Sequence, residues 1–195
     1  MKILALSPHP DDIEMGAGGF LLSAINKNID VHVVYCLYEK MFTVETNLRK
    51  INYKASWLCE EENKRPEYNG KTVDLLDSIL YAEDYTHLLI PHIGDSHQDH
   101  KNINLVAQAS IRKYKGMTLQ YEVAPYINRN KSFNPNIFFG IDGFLSQKTE
   151  WVSSYQDVTQ DMIESVISLN KLRGQETTNH HAEAFELLKW SNLSI

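Results

Sequence analysis

Two short stretches of this 195-residue chain hold residue types that can do chemistry at spacings that bring them together. The first is Pro8-His9-Pro10-Asp11-Asp12. Pro10 biases His9 toward an extended conformation, and the two flanking prolines restrict where the imidazole can point. His9 and Asp12, three residues apart, can close on one ion from a tight turn. An imidazole with a carboxylate suits zinc or a similar divalent metal. Asp11 adds a second carboxylate beside that pair. A plainer use is open to either aspartate, that of capping the next helix. Capping needs only one of them, and it explains neither the histidine nor the prolines.

The second stretch is His97-Gln98-Asp99-His100, after the turn Gly94-Asp95-Ser96. Two histidines bracketing an aspartate at the start of a helix can supply a further ligand. His100 is the residue expected to do so, completing three protein ligands with one position open. The expected metal is zinc, one ion per chain; two imidazoles in the set disfavour calcium. The remaining histidines read differently. His87 and His92 belong to a strand and its rim, His180 and His181 to a solvated loop, and His32 to the exposed face of a strand. Gly16, Gly18 and Gly19 imitate a dinucleotide-binding turn, but Leu21 stands where its third glycine belongs. The two aspartates ahead of the turn would repel phosphate. These glycines read as close helix-to-sheet packing.

Both stretches need strands that end beside each other. Lys2 to Ser7, Val31 to Leu37 and Thr86 to Pro91 are short runs rich in apolar residues and read as strands. Leu119 to Val123 and Ile137 to Ile141 read as two more. Helical patterns fill Met15 to Lys27, Val44 to Glu61, Thr72 to Ala82, His97 to Tyr114, Gly143 to Tyr155 and Thr159 to Arg173. Arg65 to Lys71 reads as loop, and Ala182 to Leu188 as irregular or short strand. Alternating strands and helices predict an α/β fold, a Rossmann-like three-layer sandwich with a mainly parallel sheet. Such sheets place ligands beyond the carboxyl ends of their strands, where both stretches would emerge.

The bulk properties narrow the partners. With 43% hydrophobic residues and no linker-like stretch, the chain is expected to form one domain over residues 1–195. The formal charge of −6 gives no electrostatic footprint for nucleic acid or an anionic membrane. No run is long enough to span a bilayer. Cys36 and Cys59 lack any CxxC spacing and read as reduced thiols. With no secretory leader visible, a cytoplasmic location is expected.

In its motifs the chain resembles the zinc-dependent N-acetylglucosaminyl deacetylases, the family of the phosphatidylinositol glycan de-N-acetylase and of the mycothiol and bacillithiol pathway deacetylases. The likeness runs through Pro8 to Glu14, Gly16 to Gly19 and His97 to His100. It continues at Tyr121-Glu122, Phe133 to Asn136, Arg173-Gly174 and Ala182 to Phe185. The resemblance implies that His9, Asp12 and His100 hold zinc and that Asp11 is the general base. It implies that His97 stabilises the oxyanion or protonates the leaving amine, and that Asp99 tunes a histidine. Arg49 is matched to a substrate-binding arginine, although Asn52 stands where the family carries a glutamate. The implied substrate is a small N-acetylated sugar. A zinc ion would polarise the amide carbonyl and lower the pKa of a water to about 7. A metal-dependent phosphoesterase is the alternative enzyme, though no second set of carboxylates for a second metal is evident. A non-catalytic nucleotide- or sugar-binding module is the alternative from another class.

Overall fold

The computed structural model describes residues 1–61, 64–124 and 133–190. The elements run β1 (Lys2–Ser7), α1 (Asp12–Asn26), β2 (Asp30–Tyr35), α2 (Met41–Lys50), β3 (Lys54–Trp57), α3 (Gly70–Leu80), β4 (His87–Pro91), α4 (Gln98–Ser110), β5 (Met117–Tyr121), β6 (Ile137–Gly140), α5 (Leu145–Ser153), α6 (Gln160–Gln175) and β7 (Ala182–Trp190). The strands form one seven-stranded sheet in the order β3-β2-β1-β4-β5-β7-β6. The first five are parallel, and β7 lies antiparallel between β5 and β6.

Alternation along the strands builds a core on each face. Ile3, Ala5, Val31, Val33 and Leu89 face α1, α5 and α6, where they meet Ile13, Leu21, Trp151 and Val166. Leu4, Leu6, Val34, Leu88 and Ile90 face α3 and α4, meeting Leu76, Leu80, Ile103 and Val106. Each fully buried aliphatic side chain contributes about 1.5–3 kcal/mol, so these two layers are what clamps the helices to the sheet. The result is the three-layer α/β sandwich that the alternating pattern predicts.

The glycines of α1 act in packing. A Cβ on Gly16 would fall 2.3 Å from Tyr121 Cδ2 and 2.9 Å from the Glu122 carbonyl oxygen, and one on Gly19 would fall 2.6 Å from Ile141 Cγ2. Only a bare Cα lets α1 lie this close to its neighbours.

Three expectations need correction. The helix expected over Val44 to Glu61 ends at Lys50, because Ile51 turns extended and Lys54–Trp57 pairs with β2 as an edge strand. The stretch from Ala182, expected as irregular or short strand, is a nine-residue strand inside the sheet, hydrogen-bonded on both sides. His32 is 4% exposed and not on the surface: its ring nitrogens meet Tyr85 Oη at 2.6 Å and Ser56 Oγ at 2.7 Å. The polar partners from β3 and from the segment before β4 are invisible to a period-two pattern. Among the described residues, no helix is long and apolar enough to cross a membrane.

Candidate metal centre

Strand order decides where the site forms. β1 lies between β2 and β4, with Ile3 opposite His87 and Ala5 opposite Leu89. The chain leaves β1 toward one side of the sheet and β4 toward the other. A crevice opens at the carboxyl ends of these two strands. His9, Asp11 and Asp12 enter it from β1, and Asp95, His97, Asp99 and His100 from β4.

The contacts converge on one oxygen. Asp12 Oδ2 lies 3.0 Å from His9 Nδ1 and 3.0 Å from His100 Nε2, and accepts from the His9 backbone N–H at 2.8 Å. Each histidine is oriented from its far side. His100 Nδ1 meets Asp95 Oδ2 at 2.7 Å, and His9 Nε2 meets Asp99 Oδ2 at 3.0 Å. An imidazole that donates from that far nitrogen aims its other lone pair at Asp12. Two acceptors stand this close only with a positive charge, a proton or a metal, between them. Burial opposes protonation of His100, yet Asp12 and Asp95 outweigh it and push the imidazole up to about 10. Burial likewise opposes ionisation of Asp12, and His100 and His9 override it, holding the carboxyl below the usual range. Two imidazoles and a carboxylate converging in this way are also a donor set that suits a divalent metal such as zinc.

His97 is the N-cap of α4: its Nδ1 accepts from the Asp99 backbone N–H at 3.2 Å. That bond places the proton of the neutral ring on Nε2. Burial, with His9 and His100 nearby, lowers its pKa and keeps it neutral. Among the described residues His9, His97 and His100 form a group whose ligand atoms all lie within 4.8 Å of one another.

Asp11 stands apart from these contacts. It is the N-cap of α1 with φ 131°, a strained value for a residue with a side chain. Burial, and then the charge of Asp12, pushes its carboxyl up to about 8 against the pull of Lys40. Lys40 Nζ lies 2.6 Å from Asp11 Oδ2, 2.7 Å from Asp157 Oδ2 and 3.2 Å from the Pro10 carbonyl.

The predicted residues therefore gather, with one exception. Arg49 is exposed in the last turn of α2, eight residues beyond the Met41 end that adjoins Lys40. At 1.5 Å per residue that is about 12 Å along the helix. Two cations that sequence reasoning missed occupy the site instead. They are Lys40 on Asp11 and Arg65, whose Nη1 bonds Asp99 Oδ2 at 2.7 Å. Asp95 was missed as well, and its one signal was a carboxylate in the turn five residues before His100. The later motifs hold ion pairs away from these contacts, with Glu183 accepting from the Gly19 and Phe20 backbone N–H groups of α1. Arg173 grips Glu122 by two bonds of 2.6 and 2.9 Å and lies over Phe133, and Lys148 is buried on Glu183 at 2.7 Å.

No known family model matches the chain. Solved structures do. N,N'-diacetylchitobiose deacetylase from Pyrococcus horikoshii superposes with a TM-score of 0.81 at 16% identity, covering 99% of this chain and 87% of that one. The zinc-inhibited form of teicoplanin deacetylase Orf2 gives 0.71 at 14% identity, with both chains fully covered. GalB, the 4-carboxy-2-hydroxymuconate hydratase from Pseudomonas putida KT2440, gives 0.78 at 14% identity, covering 96% of each chain. The chain shares their fold. At these identities the likeness extends to the architecture, and the chemistry is argued from the site.

Proposed function

We propose that the protein is a zinc-dependent hydrolase that removes the acetyl group from a small N-acetylated sugar of the N-acetylglucosamine type. The observation that carries this reading is the convergence of His9 Nδ1 and His100 Nε2 on Asp12 Oδ2, with Asp11 alongside and free of that cluster. His9, Asp12 and His100 would hold one zinc ion per chain, which supplies Lewis-acid activation of the amide carbonyl and of water.

The protein's own groups supply the rest. Asp11, kept ionised by Lys40 at 2.6 Å, takes a proton from the attacking water and returns it to the departing nitrogen, so that the amine leaves protonated. His97, neutral with its proton on Nε2, donates to the oxyanion that develops on the acetyl carbonyl. Asp99 fixes His9 and Asp95 fixes His100, holding both rings in one tautomer. Two of the similar structures named above are deacetylases, one of them of N,N'-diacetylchitobiose, which supports an N-acetylated sugar. The charge of −6 favours a small substrate over a polyanion.

The test is a screen of N-acetylated sugars, sugar nucleotides and glycosides for released acetate, run with metal analysis of the same preparation. The expected result is one zinc per chain and acetate from at least one sugar. About two metals per chain with phosphate-ester cleavage would replace the reading with a phosphoesterase. Substoichiometric metal with tight sugar binding would replace it with a binding module.

A further inference from the structure

A second cavity opens on the carboxyl edge of the sheet, next to the metal centre. It holds about 190 Å³. Its floor is Cys36, Leu58 and Leu75, of which Cys36 is 1% and Leu58 5% exposed. Cys36 follows β2 and Leu58 follows β3, and both strands run parallel to β1, so the floor lies at the strand ends that also carry His9. Three cations, Lys64, Arg65 and Lys71, stand around the rim. Arg65 is the wall shared with the metal centre: its side chain is 69% exposed, yet Nη1 is anchored on the buried Asp99.

The rim charges balance, and two of the three cations have an acidic neighbour on the rim. Glu61 takes Lys64 at 2.6 Å and lies 3.9 Å from Lys71, and Glu67, also at the rim, bonds Asn69. Asp99 is the one partner of the Arg65 guanidinium among the described residues. Its remaining N–H groups are available to an incoming acceptor, and guanidinium matches phosphate and carboxylate in a two-pronged geometry. The floor offers no charge at all. An apolar cavity of about 150 Å³ is enough to take a benzene ring. An apolar floor beside a guanidinium with donors to spare is complementary to one kind of group.

We propose that this cavity is a substrate subsite for an apolar ring or branched alkyl group bearing a phosphate or carboxylate, held by Arg65 at the anion and by Cys36, Leu58 and Leu75 at the apolar part. The proposal rests on the deacetylase reading only for the identity of the molecule that carries the group. Arg65 then acts as a specificity-determining residue, tying recognition of this substituent to the carboxylate that orients His9.

The experiment titrates the purified full-length protein with phenyl phosphate, benzoate, inorganic phosphate and phenyl β-glucoside by calorimetry. Phenyl phosphate or benzoate should bind more tightly than inorganic phosphate and than the neutral glucoside, and the better of the two names the anion. Arg65→Gln and the cavity-filling Leu75→Phe should each weaken that binding by about tenfold or more, a change of about 1.4 kcal/mol. Because Arg65 is exposed and Leu75 only partly buried, both variants are expected to fold. His100→Ala identifies anions that sit on a metal instead. Binding kept in His100→Ala and lost in the two cavity variants supports the subsite. Binding lost in His100→Ala and kept in Leu75→Phe overturns it, as does inorganic phosphate binding as tightly as phenyl phosphate. None of these readings needs turnover, so a subsite that binds in a protein releasing no acetate would overturn the proposed function alone.

Discussion

The carboxylate of Glu14 holds the backbone of Asp11. Glu14 Oε2 accepts from Asp11 N–H at 3.2 Å, while Oε1 takes the hydroxyls of Tyr35 and Tyr155 at 2.7 Å each. Glu14 is 0% exposed. Its three donors secure a residue at φ 131°, a conformation that costs about 1–3 kcal/mol unless its surroundings enforce it. The carboxylate proposed to move the proton is thus aimed from behind by a fully buried group.

Replacing Glu14 should therefore cost more than replacing either tyrosine. Glu14→Gln leaves one acceptor oxygen where three donors now converge, so that either the Asp11 N–H or the two tyrosine hydroxyls lose their acceptor, and should destabilise the fold by about 1–3 kcal/mol. Tyr35→Phe and Tyr155→Phe should each lose about 0.5–1.5 kcal/mol. Urea unfolding gives all three values. Turnover of Glu14→Gln should fall with zinc still bound. A Glu14→Gln protein no less stable than the tyrosine variants would show that Asp11 is held by something else.

Asp11 and Asp12 are adjacent and chemically identical, yet only Asp12 touches both imidazoles. Asp11→Asn should keep its metal and lose about 10²–10⁴ in turnover, the usual contribution of proton-transfer catalysis. His97→Ala should behave the same way. Asp12→Asn should lose metal and activity together. Metal content and acetate release measured side by side decide the matter, and equal metal loss in the two aspartate variants would refute the division of labour.

The fit of α1 on the sheet can be tested at one atom. Gly16→Ala forces a methyl group against Tyr121 and the Glu122 carbonyl and should cost about 1–3 kcal/mol or more. Gly70, which opens α3, has nothing within 4 Å of an added Cβ. Gly70→Ala should be neutral or stabilise by about 0.4–1 kcal/mol. Thermal melts should move by about 2–4 °C per kcal/mol in a chain of this size. Equal melting temperatures for the two variants would show that α1 does not need its glycine.

His32 gives a pH signature away from the metal centre. Burial, and then the charge of Lys54, holds its pKa down at about 4, against 6.5 for the ordinary imidazole. Below pH 6.5 the unfolded chain binds a proton that the folded chain refuses. The contribution of neutral His32 is therefore complete above pH 6.5 and lost as pH falls toward 4. The wild type should exceed His32→Gln in melting temperature most above pH 7, and that margin should shrink across this window. A margin independent of pH would mean that His32 titrates normally.

The sequence alone was enough for the local half of this protein. His9 and Asp12 are three residues apart, and His97 and His100 likewise, so each pair can be read from its own turn. The apolar runs of β1 and β4 and the α/β alternation are equally local, since they follow from periods of two and 3.6 residues. The small residues of α1 were legible as packing because a helix with no side chain at Gly16 or Gly19 must sit close to something. What tertiary structure decided was which distant groups meet. Asp99 orients His9, 90 residues away, and Lys40 reaches Asp11 from 29 residues away. Those contacts exist because β1 and β4 are neighbours at a reversal of strand order, and hydrogen-bond pairing between strands leaves no mark in either sequence. Arg49, Lys40 and Arg65 look alike as exposed cations in a sequence. Only the fold, which lays Lys40 on Asp11 and Arg65 on Asp99 and leaves Arg49 exposed at the other end of α2, separates the first from the other two.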